Sequence, residues 1–321
     1  MNRILILIVA CIMLVGCSNE ASENSIYSIV VSKNGQIVKE EYYNGSAKNE
    51  LFNTQSVSKS IISLLVGIAI DQSFIKSEES LIFEYFPEST YFSNEQKKEI
   101  TIKHLLNHTS GLDWKGFLEH ETFLASKNQA EYVLGRDIIS KPGLEYNYHS
   151  GGTHLLSFIL TKATGMTTLE FAKQYLFKPL EIENVEWEKL NDGYYDGAGF
   201  GLLMRSDDLL KIGELLLNEG KYDSQQIVSK TWIQKSFDER LKKDTKWGLR
   251  HSQHGYGWYS KMNGEEQILY AMGYGGQFIF IMPKKELVIV TTHNHDTPDG
   301  IDQQVDFLDG ILGKLVDEYG R

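Results

Sequence analysis

The stretch Gln55-Ser56-Val57-Ser58-Lys59-Ser60-Ile61-Ile62 opens a segment, Ser56 to Asp71, in which apolar residues cover most of the circumference of a helix. A helix that is apolar on most sides is a buried one, so we predict a helix at the centre of the fold. Gly67 lies inside this segment, although glycine costs about 1 kcal/mol relative to alanine in a helix. Its presence there indicates close contact with another element.

Ser56 and Lys59 form a candidate nucleophile and proton acceptor. They lie one turn apart on the same helix face. A serine hydroxyl is a poor nucleophile unless a neighbour accepts its proton, and burial disfavours the charged form of a lysine side chain. A helix N-terminus also favours negative charge that develops on a nearby oxygen. Serine is equally a common helix cap, so the same residues fit a purely structural helix start.

The composition bounds the function classes. A chain of 321 residues, 41% of them hydrophobic and 23% charged, is typical of one or two folded domains. A formal net charge of −11 argues against a broad basic surface, so we expect no nucleic-acid partner. Two cysteines are too few for a disulfide scaffold or a cysteine-based zinc site. The histidines near the C-terminus match no metal-ligand spacing, and we expect neither a metal nor a cofactor.

Both cysteines lie in the first 17 residues, which have the pattern of an export signal. A short basic start is followed by the apolar run Ile4 to Val15, which is shorter than the roughly 20 residues that a membrane-spanning helix needs. Leu14-Val15-Gly16-Cys17 resembles the bacterial lipobox, in which the cysteine is acylated after cleavage. We therefore predict a signal peptide over 1–17, a lipid on Cys17, a flexible tether over 18–25 and an extracytoplasmic, membrane-anchored protein. A plain signal peptide with an incidental cysteine is the alternative.

Strand-like segments occur at both ends of the remaining chain, and the middle is mainly helical. The predicted strands are Ile26 to Ser32, Gln36 to Tyr43, Gln267 to Met272, Gln277 to Pro283 and Glu286 to His293. Asn34-Gly35 predicts a hairpin turn between the first two strands. We expect one domain over 26–321: an antiparallel sheet built from both chain ends, covered by the Ser56 helix and a terminal helix over 303–319. An all-helical insert over about 78–225 would place the active site where insert and sheet meet.

Two further motifs carry possible chemistry. Pro142-Gly143 is followed by Tyr146 and Tyr148, and a tyrosine beside a lysine ammonium can act as a general base. Both tyrosines also fit a packed cleft wall. Gly273-Tyr274-Gly275-Gly276-Gln277 lies between predicted strands, where glycines let a substrate approach the backbone and free N–H groups can bind an oxyanion. An ordinary glycine-rich hairpin turn explains the same residues.

Together, and in this order, the motifs resemble the serine β-lactamase and penicillin-binding-protein superfamily, and more narrowly the class C β-lactamase-related esterases, peptidases and amide hydrolases. The stretches that carry the resemblance are Gln55 to Ser60, Thr101 to Leu112, Pro142-Gly143 with Tyr148, Gly201 to Leu209, Tyr256-Gly257-Trp258 and Gly273 to Gln277. They extend over about residues 26–318. The resemblance implies a β-lactamase/transpeptidase-like α/β (α+β) fold.

The resemblance also implies roles for individual residues. Ser56 matches the acylated nucleophile and Lys59 its proton-handling partner. Tyr148 matches the tyrosine of the Tyr-x-Asn element better than Tyr146, because of its distance from Pro142-Gly143. The backbone N–H groups of Ser56 and Gln277 would form the oxyanion hole.

The chain departs from the family pattern at two positions of the predicted substrate-binding set. Ser150 stands where asparagine is usual, and Tyr274-Gly275-Gly276 stands at the family's Lys-Thr-Gly. Loss of the lysine removes a cation that recognises the carboxylate of a β-lactam or a peptide terminus. We therefore expect a hydrolase of small or peptide-like esters or amides that acts through an acyl-Ser56 intermediate. The alternatives are a D-amino-acid peptidase, penicillin-binding protein or β-lactamase, and a catalytically silent lipoprotein that binds cell-wall fragments.

Overall fold

The structure, a computed structural model, describes residues 25–238, 241–242 and 247–321. The predicted signal peptide, Cys17 and all of the predicted tether except Ser25 lie outside the described residues. The signal peptide, the lipid on Cys17 and the tether therefore stay predictions.

The described elements alternate between strands, helices and short turns of helix. The strands are β1 (Ile26–Lys33), β2 (Gln36–Tyr42), β3 (Phe52–Asn53), β4 (Glu186–Trp187), β5 (Leu202–Met204), β6 (Lys221–Tyr222), β7 (Gln225–Gln226), β8 (Leu241–Lys242), β9 (Gln253–His254), β10 (Tyr259–Asn263), β11 (Glu266–Gly273), β12 (Gln277–Met282) and β13 (Leu287–His293). The α-helices are α1 (Val57–Asp71), α2 (Glu95–Lys98), α3 (Ile102–Leu106), α4 (His120–Ala125), α5 (Gln129–Leu134), α6 (Ser150–Thr164), α7 (Thr168–Ala172), α8 (Ser206–Leu217), α9 (Lys230–Asp238), α10 (Gly300–Asp306) and α11 (Leu312–Tyr319). Short 3₁₀ helices cover Ile82–Tyr85, Thr90–Ser93, Gly116–Glu119 and Pro283–Lys285, and π-helical turns cover Lys173–Phe177 and Phe307–Ile311.

The main sheet joins the two ends of the chain, as the sequence predicts. Its order is β2-β1-β13-β12-β11-β10-β9-β8, and every neighbouring pair is antiparallel. Asn34 and Gly35 both have positive φ (52° and 72°) between β1 and β2, which is the backbone of a two-residue hairpin turn whose twist matches that of the strands. The expected fold class is confirmed.

Each face of the sheet has its own apolar layer. On one face, α1 and α8 pack against side chains such as Val30, Ile279 and Val288. On the other face, the C-terminal helical segment places Phe307 and Leu312 against the remaining strand residues. Because successive side chains of a strand point to opposite faces, this two-sided burial follows from the nearly continuous apolar sequences of β12 and β13.

The central helix α1 is buried along nearly its whole length. A Cβ built on Gly67 would lie 2.3 Å from Cδ1 of Trp232, which is on α9. The indole Nε1 of Trp232 donates to the carbonyl of Ser63, at 3.1 Å. The predicted close contact at Gly67 is therefore confirmed. Within the described parts of the chain, no helix has both the length and the apolar character needed to cross a membrane.

The region 78–225 is mainly helical, but the prediction of an all-helical insert is wrong in two respects. Strands β4 and β5 pair with β3 in a small antiparallel sheet, and α8 packs directly on the main sheet. Gly213 of α8 comes so close that a Cβ there would lie 2.4 Å from Cγ1 of Val288. The β3–β5 pairing matters for the site, because β3 ends just before Ser56 and β5 begins just after residues 196–201.

Candidate active site

Ser56 and Lys59 meet at the start of α1. Ser56 immediately precedes the helix and already has helical backbone angles (φ −67°, ψ −4°), so the side chain at position 59 returns to the same face one turn later. Nζ of Lys59 donates to Oγ of Ser56 at 2.8 Å and also to the backbone carbonyl of Ala198. Lys59 is only 3% exposed. The Ser56 hydroxyl is therefore in direct contact with an amine that can exchange a proton with it.

Ala198 belongs to a loop that is folded around one buried carboxylate. Asp196 is fully buried, and its Oδ1 accepts from the N–H of Ala198 at 2.7 Å. Its Oδ2 accepts from the N–H groups of Gly199, Phe200 and Gly201 at 3.2, 2.5 and 2.8 Å. Hydrogen bonds from backbone N–H groups to a side-chain carboxylate are stronger than those between neutral groups. Those to Asp196 fix the direction of the Ala198 carbonyl and hence one partner of Lys59.

Gly199 is the point at which this loop touches the reactive pair. Its φ is +108°, and a Cβ built there would lie 2.6 Å from Nζ of Lys59 and 3.2 Å from Oγ of Ser56. Both the backbone angle and the space therefore require glycine. The sequence analysis missed Asp196, Ala198 and Gly199; the signal in the sequence is an aspartate followed by alternating glycines, Asp196-Gly197-Ala198-Gly199-Phe200-Gly201.

Of the two candidate tyrosines, Tyr148 is the one that contacts Lys59. Nζ of Lys59 lies 5.2 Å from the centroid of the Tyr148 ring, a distance at which an ammonium is attracted by the ring face. Tyr146 instead packs among His108, His254 and Tyr259. Burial is the main cause that raises the pKa of the Tyr146 phenol, which makes it a poor base. The geometry agrees with the choice of Tyr148 over Tyr146, and its catalytic role stays a prediction.

Buried histidines lie behind the reactive pair. The rings of His108 and His254 are 4.9 Å apart, and His108 is 4.6 Å from the ring of Tyr148. Burial, assisted by the charge of Lys59, lowers the pKa of His254 to about 3, and burial with His254 and Lys59 lowers that of His108 well below its usual range. Both rings are therefore neutral at pH 7, so they add no positive charge that would compete with Lys59.

The glycine-rich turn between β11 and β12 lies beside the start of α1. A Cβ on Gly273 would lie 2.5 Å from the carbonyl oxygen of Thr54 and 2.9 Å from Cβ of Gln55. Gly275 and Gly276 both have positive φ, and Cβ atoms there would lie 3.0 Å from Cα of His295 and 2.9 Å from the His293 ring. The predicted oxyanion donors, the N–H groups of Ser56 and Gln277, thus come from segments in contact. Their role stays a prediction.

Side-chain hydrogen bonds hold this turn in place. Nε2 of Gln277 donates to the carbonyls of Tyr274 and His293 at 3.2 and 2.9 Å, and Oε1 accepts from the N–H of His293 at 3.0 Å. The Tyr274 hydroxyl donates to the carbonyl of Thr297 at 2.8 Å. The Tyr274 hydroxyl, at the position where the resemblance expects a lysine, is thus bonded to a backbone carbonyl.

Ser150 is buried rather than open to the cleft. It is the first residue of α6 and is 1% exposed, and its Oγ lies 3.2 Å from Nε2 of His120. Burial and the charge of Lys59 lower the pKa of His120 to about 4. Ser150 thus contacts His120, a residue that sequence analysis missed because its partner is 30 positions away, and the substrate-binding role of Ser150 stays a prediction.

Aromatic side chains form the rim of the cleft. The Phe117 ring lies 5.4 Å from His120, 6.0 Å from Trp247 and 6.1 Å from Tyr274, measured between centroids. Phe200 packs edge-on against His120 at 4.9 Å. Among the described residues there is no group of three histidine, cysteine, aspartate or glutamate side chains arranged to hold a metal ion. The described side chains around His120 are therefore mainly aromatic.

The fold and this constellation define a class, the β-lactamase/transpeptidase-like serine hydrolases. The family model for beta-lactamase matches residues 26–312. The chain therefore belongs to the beta-lactamase family.

Three relatives illustrate its range. An uncharacterized protein of Alkalihalophilus pseudofirmus is 26% identical, covering 93% of this chain and 94% of its own. A 6-aminohexanoate-dimer hydrolase of Paenarthrobacter ureafaciens is 21% identical, covering 85% of this chain and 73% of that protein. The solved structure of a putative 6-aminohexanoate-dimer hydrolase from Bacillus anthracis is similar with a TM-score of 0.78 and 20% identity, over 94% of this chain and 82% of that one.

Proposed function

We propose that the protein hydrolyses a small or peptide-like ester or amide through an acyl-Ser56 intermediate. The observation that carries the proposal is the 2.8 Å contact between Oγ of Ser56 and Nζ of Lys59. Nζ is fixed by a second acceptor, the Ala198 carbonyl, so the amine stays next to the hydroxyl without a substrate present. No metal or cofactor enters the scheme.

In the proposed acylation, Lys59 and Tyr148 together take the proton of Ser56 while Oγ attacks the substrate carbonyl carbon. Tyr148 relays that proton to the leaving alcohol or amine as the C–O or C–N bond breaks. The N–H groups of Ser56 and Gln277 stabilise the oxyanion, an effect of about 3 kcal/mol for each donor. Water then attacks the acyl-serine ester, the same groups pass its proton to Oγ of Ser56 as the C–O bond breaks, and the carboxylic acid is released.

The nature of the cleft supports an ester or amide without a carboxylate to be recognised. Tyr274 places a hydroxyl, which donates to the carbonyl of Thr297, at the position where the resemblance expects a lysine. Phe117 and Trp247 add apolar surface beside it. A similar 6-aminohexanoate-dimer hydrolase has an amide substrate by its name, which supports the type of bond cleaved but not the absence of a carboxylate. We further propose that the lipid on Cys17 anchors the protein outside the cytoplasmic membrane.

Intact-protein mass spectrometry after incubation with a fluorophosphonate, a panel of activated esters, D-peptides and a penicillin tests this function. We expect a fluorophosphonate adduct on Ser56 and transient acyl adducts from esters, all lost in Ser56→Ala. Ser58→Ala is the matched control, because Oγ of Ser58 is buried with no hydrogen-bond partner among the described residues. A lasting penicillin adduct supports the peptidase alternative, and an unlabelled Ser56 supports the silent one.

A further inference from the structure

The end of the chain that leads toward Cys17 joins the fold beside the active-site turn. The carbonyl of Ser25 accepts from the N–H of Asn294 at 2.8 Å, and Ile26 pairs with His293. His293 is also bonded through its backbone to the side chain of Gln277. Since β1 and β12 are separated only by β13, and neighbouring strands are about 4.8 Å apart, Ser25 enters the sheet about 10 Å from β12.

The aromatic rim lies at this same end of the molecule. Tyr274 belongs to the turn before Gln277, and its ring contacts that of Phe117. Phe117 is 50% exposed, and its neighbour Leu118 is 86% exposed. Phe117 and Leu118 are therefore adjacent exposed apolar side chains beside the Tyr274 turn, and adjacent apolar groups of this kind are the part of a surface that an apolar partner can cover.

The length of the preceding segment limits where an anchored membrane can be. Eight residues, 18–25, connect Cys17 to the sheet, and a chain of that length spans at most about 28 Å. A lipid on Cys17 thus holds the bilayer surface within about 28 Å of Ser25. The formal charge of −11 gives no electrostatic attraction to anionic lipid, so any contact between this face and the bilayer depends on apolar side chains.

We propose that the rim at Phe117 and Leu118 docks on the lipid surface to which Cys17 is anchored, and that the hydrolysed substrate is an amphiphilic ester lying in that surface. The substrate part of this inference rests on the proposed hydrolase function, and the docking part rests on the lipid on Cys17. In this arrangement the acyl chain passes from lipid along the aromatic rim to Ser56 without crossing water.

The docking part is tested with the lipidated full chain in phosphatidylcholine vesicles. Leu118→Cys and Met262→Cys are each labelled with bimane, because the sequence contains only Cys11, in the predicted signal, and Cys17. Met262 is 61% exposed and pairs with Gln267, at the opposite end of β11 from Gly273, which makes it a matched apolar control. We expect doxyl-labelled lipids to quench the label at 118 and not at 262.

Three results overturn the docking. The first is equal quenching of the labels at positions 118 and 262. The second is protection of the label at position 118 from solvent that rises with protein concentration in the absence of vesicles, which would make a second copy of the chain the occupant. The third is an N-terminal peptide mass that shows no lipid on Cys17. Each is read without any enzyme assay, so a failure of the hydrolase proposal does not alter this test.

The substrate part is tested with Leu118→Glu and Met262→Glu. We expect Leu118→Glu to slow hydrolysis of p-nitrophenyl palmitate held in phosphatidylcholine vesicles about tenfold and to leave hydrolysis of soluble p-nitrophenyl acetate unchanged. Met262→Glu should change neither rate. An equal loss on both esters, or no loss on the vesicle ester, overturns the amphiphilic substrate. If no variant hydrolyses the acetate, the hydrolase proposal itself fails.

Discussion

The backbone carbonyl of Ala198 accepts a hydrogen bond from Nζ of Lys59. This contact couples the reactive pair to a loop 139 positions away, because the direction of the Ala198 carbonyl is set by the carboxylate of Asp196. The carboxyl group of Asp196 therefore positions Lys59 indirectly, through the backbone of Ala198. This arrangement keeps the Lys59 amine close to Ser56. A carboxylate in direct contact would instead hold Lys59 in a tight ion pair.

Lys59→Ala should lower kcat/KM for an activated ester by about three orders of magnitude, since it removes the group that handles the Ser56 proton. Lys97→Ala is the control, because Lys97 is also buried and donates to a backbone carbonyl, that of Leu134, at 2.6 Å. Initial rates measured on both folded variants decide the question. Equal losses in the two would show that any buried lysine matters only for stability.

Asp196→Asn should reduce kcat far more than the fraction of unfolded protein in this variant can explain. Each charge-assisted hydrogen bond is worth about 1.5–3 kcal/mol, and the amide would turn an N–H group toward backbone donors. Asp192→Asn is the matched change, since Asp192 is a carboxylate of the same segment that bonds to His154 and the N–H of Ala130 instead. We expect similar midpoints of urea unfolding but much lower kcat for Asp196→Asn. Parallel losses of kcat in both variants would refute the positioning role.

The parts of the structure that the sequence predicts are those set by local pattern. The β1–β2 hairpin follows from Asn34-Gly35 between alternating strands, and the Ser56–Lys59 contact follows from helix spacing. The terminal strands and the buried helix follow from runs of apolar residues. In each case the contacting residues are close in sequence, or the apolar residues of the segment alone predict that it is buried.

The parts that it does not predict depend on distant backbone groups. The partners of Asp196 are N–H groups, which every residue but proline carries, so no residue type signals them. The burial of Ser150 depends on His120, which belongs to another helix. The position of α8 on the main sheet was missed for a related reason: an amphipathic helix shows that it has an apolar face but not which layer that face meets.

Gly199→Ala should abolish activity, because the new Cβ would lie 2.6 Å from Nζ of Lys59. Gly193→Ala provides the control for backbone strain alone, since Gly193 also has a positive φ (+85°) but nothing within 4 Å of a Cβ. Each change should cost about 1–2 kcal/mol in the free energy of unfolding from the positive φ. Fluorophosphonate labelling of Ser56 should then be lost only in Gly199→Ala. Labelling at the normal rate would show that the loop does not shape the reactive pair.

Gly67→Ala should destabilise the fold, although alanine is the better helix former. The methyl group would lie 2.3 Å from the Trp232 ring, so α1 and α9 must move apart, and overpacking of this kind costs about 1–3 kcal/mol. Gly313→Ala in α11 has nothing within 4 Å and should stabilise by about 0.5–1 kcal/mol. Urea unfolding of both variants measures the difference. A neutral Gly67→Ala would mean that the contact with Trp232 is loose.

The free energy of unfolding should fall as the pH is lowered from 6.5 to 5. Burial lowers the pKa of His149, His254 and His293 to about 3 from the usual 6.5. In that window the unfolded chain binds protons that the folded chain does not, so stability is full above pH 6.5 and declines below it, by up to about 1.4 kcal/mol per pH unit for each histidine. The ordinary pKa values of the carboxyl groups are 4.5 for glutamate and 3.8 for aspartate. The carboxyl groups therefore change the free energy of unfolding mainly below pH 5.

His149→Asn isolates one of these contributions. The imidazole of His149 caps α6 by accepting from the N–H of Gly152 at 2.8 Å, and asparagine is a good N-cap that does not titrate. The variant loses the stacking of His149 on Trp114, at 4.3 Å between centroids, so it should be less stable than the parent at pH 7. Its stability should nevertheless decline less steeply between pH 6.5 and 5, because one fewer buried imidazole must remain neutral. An unchanged slope in urea unfolding over that range would show that His149 is not among the groups that destabilise the fold in acid.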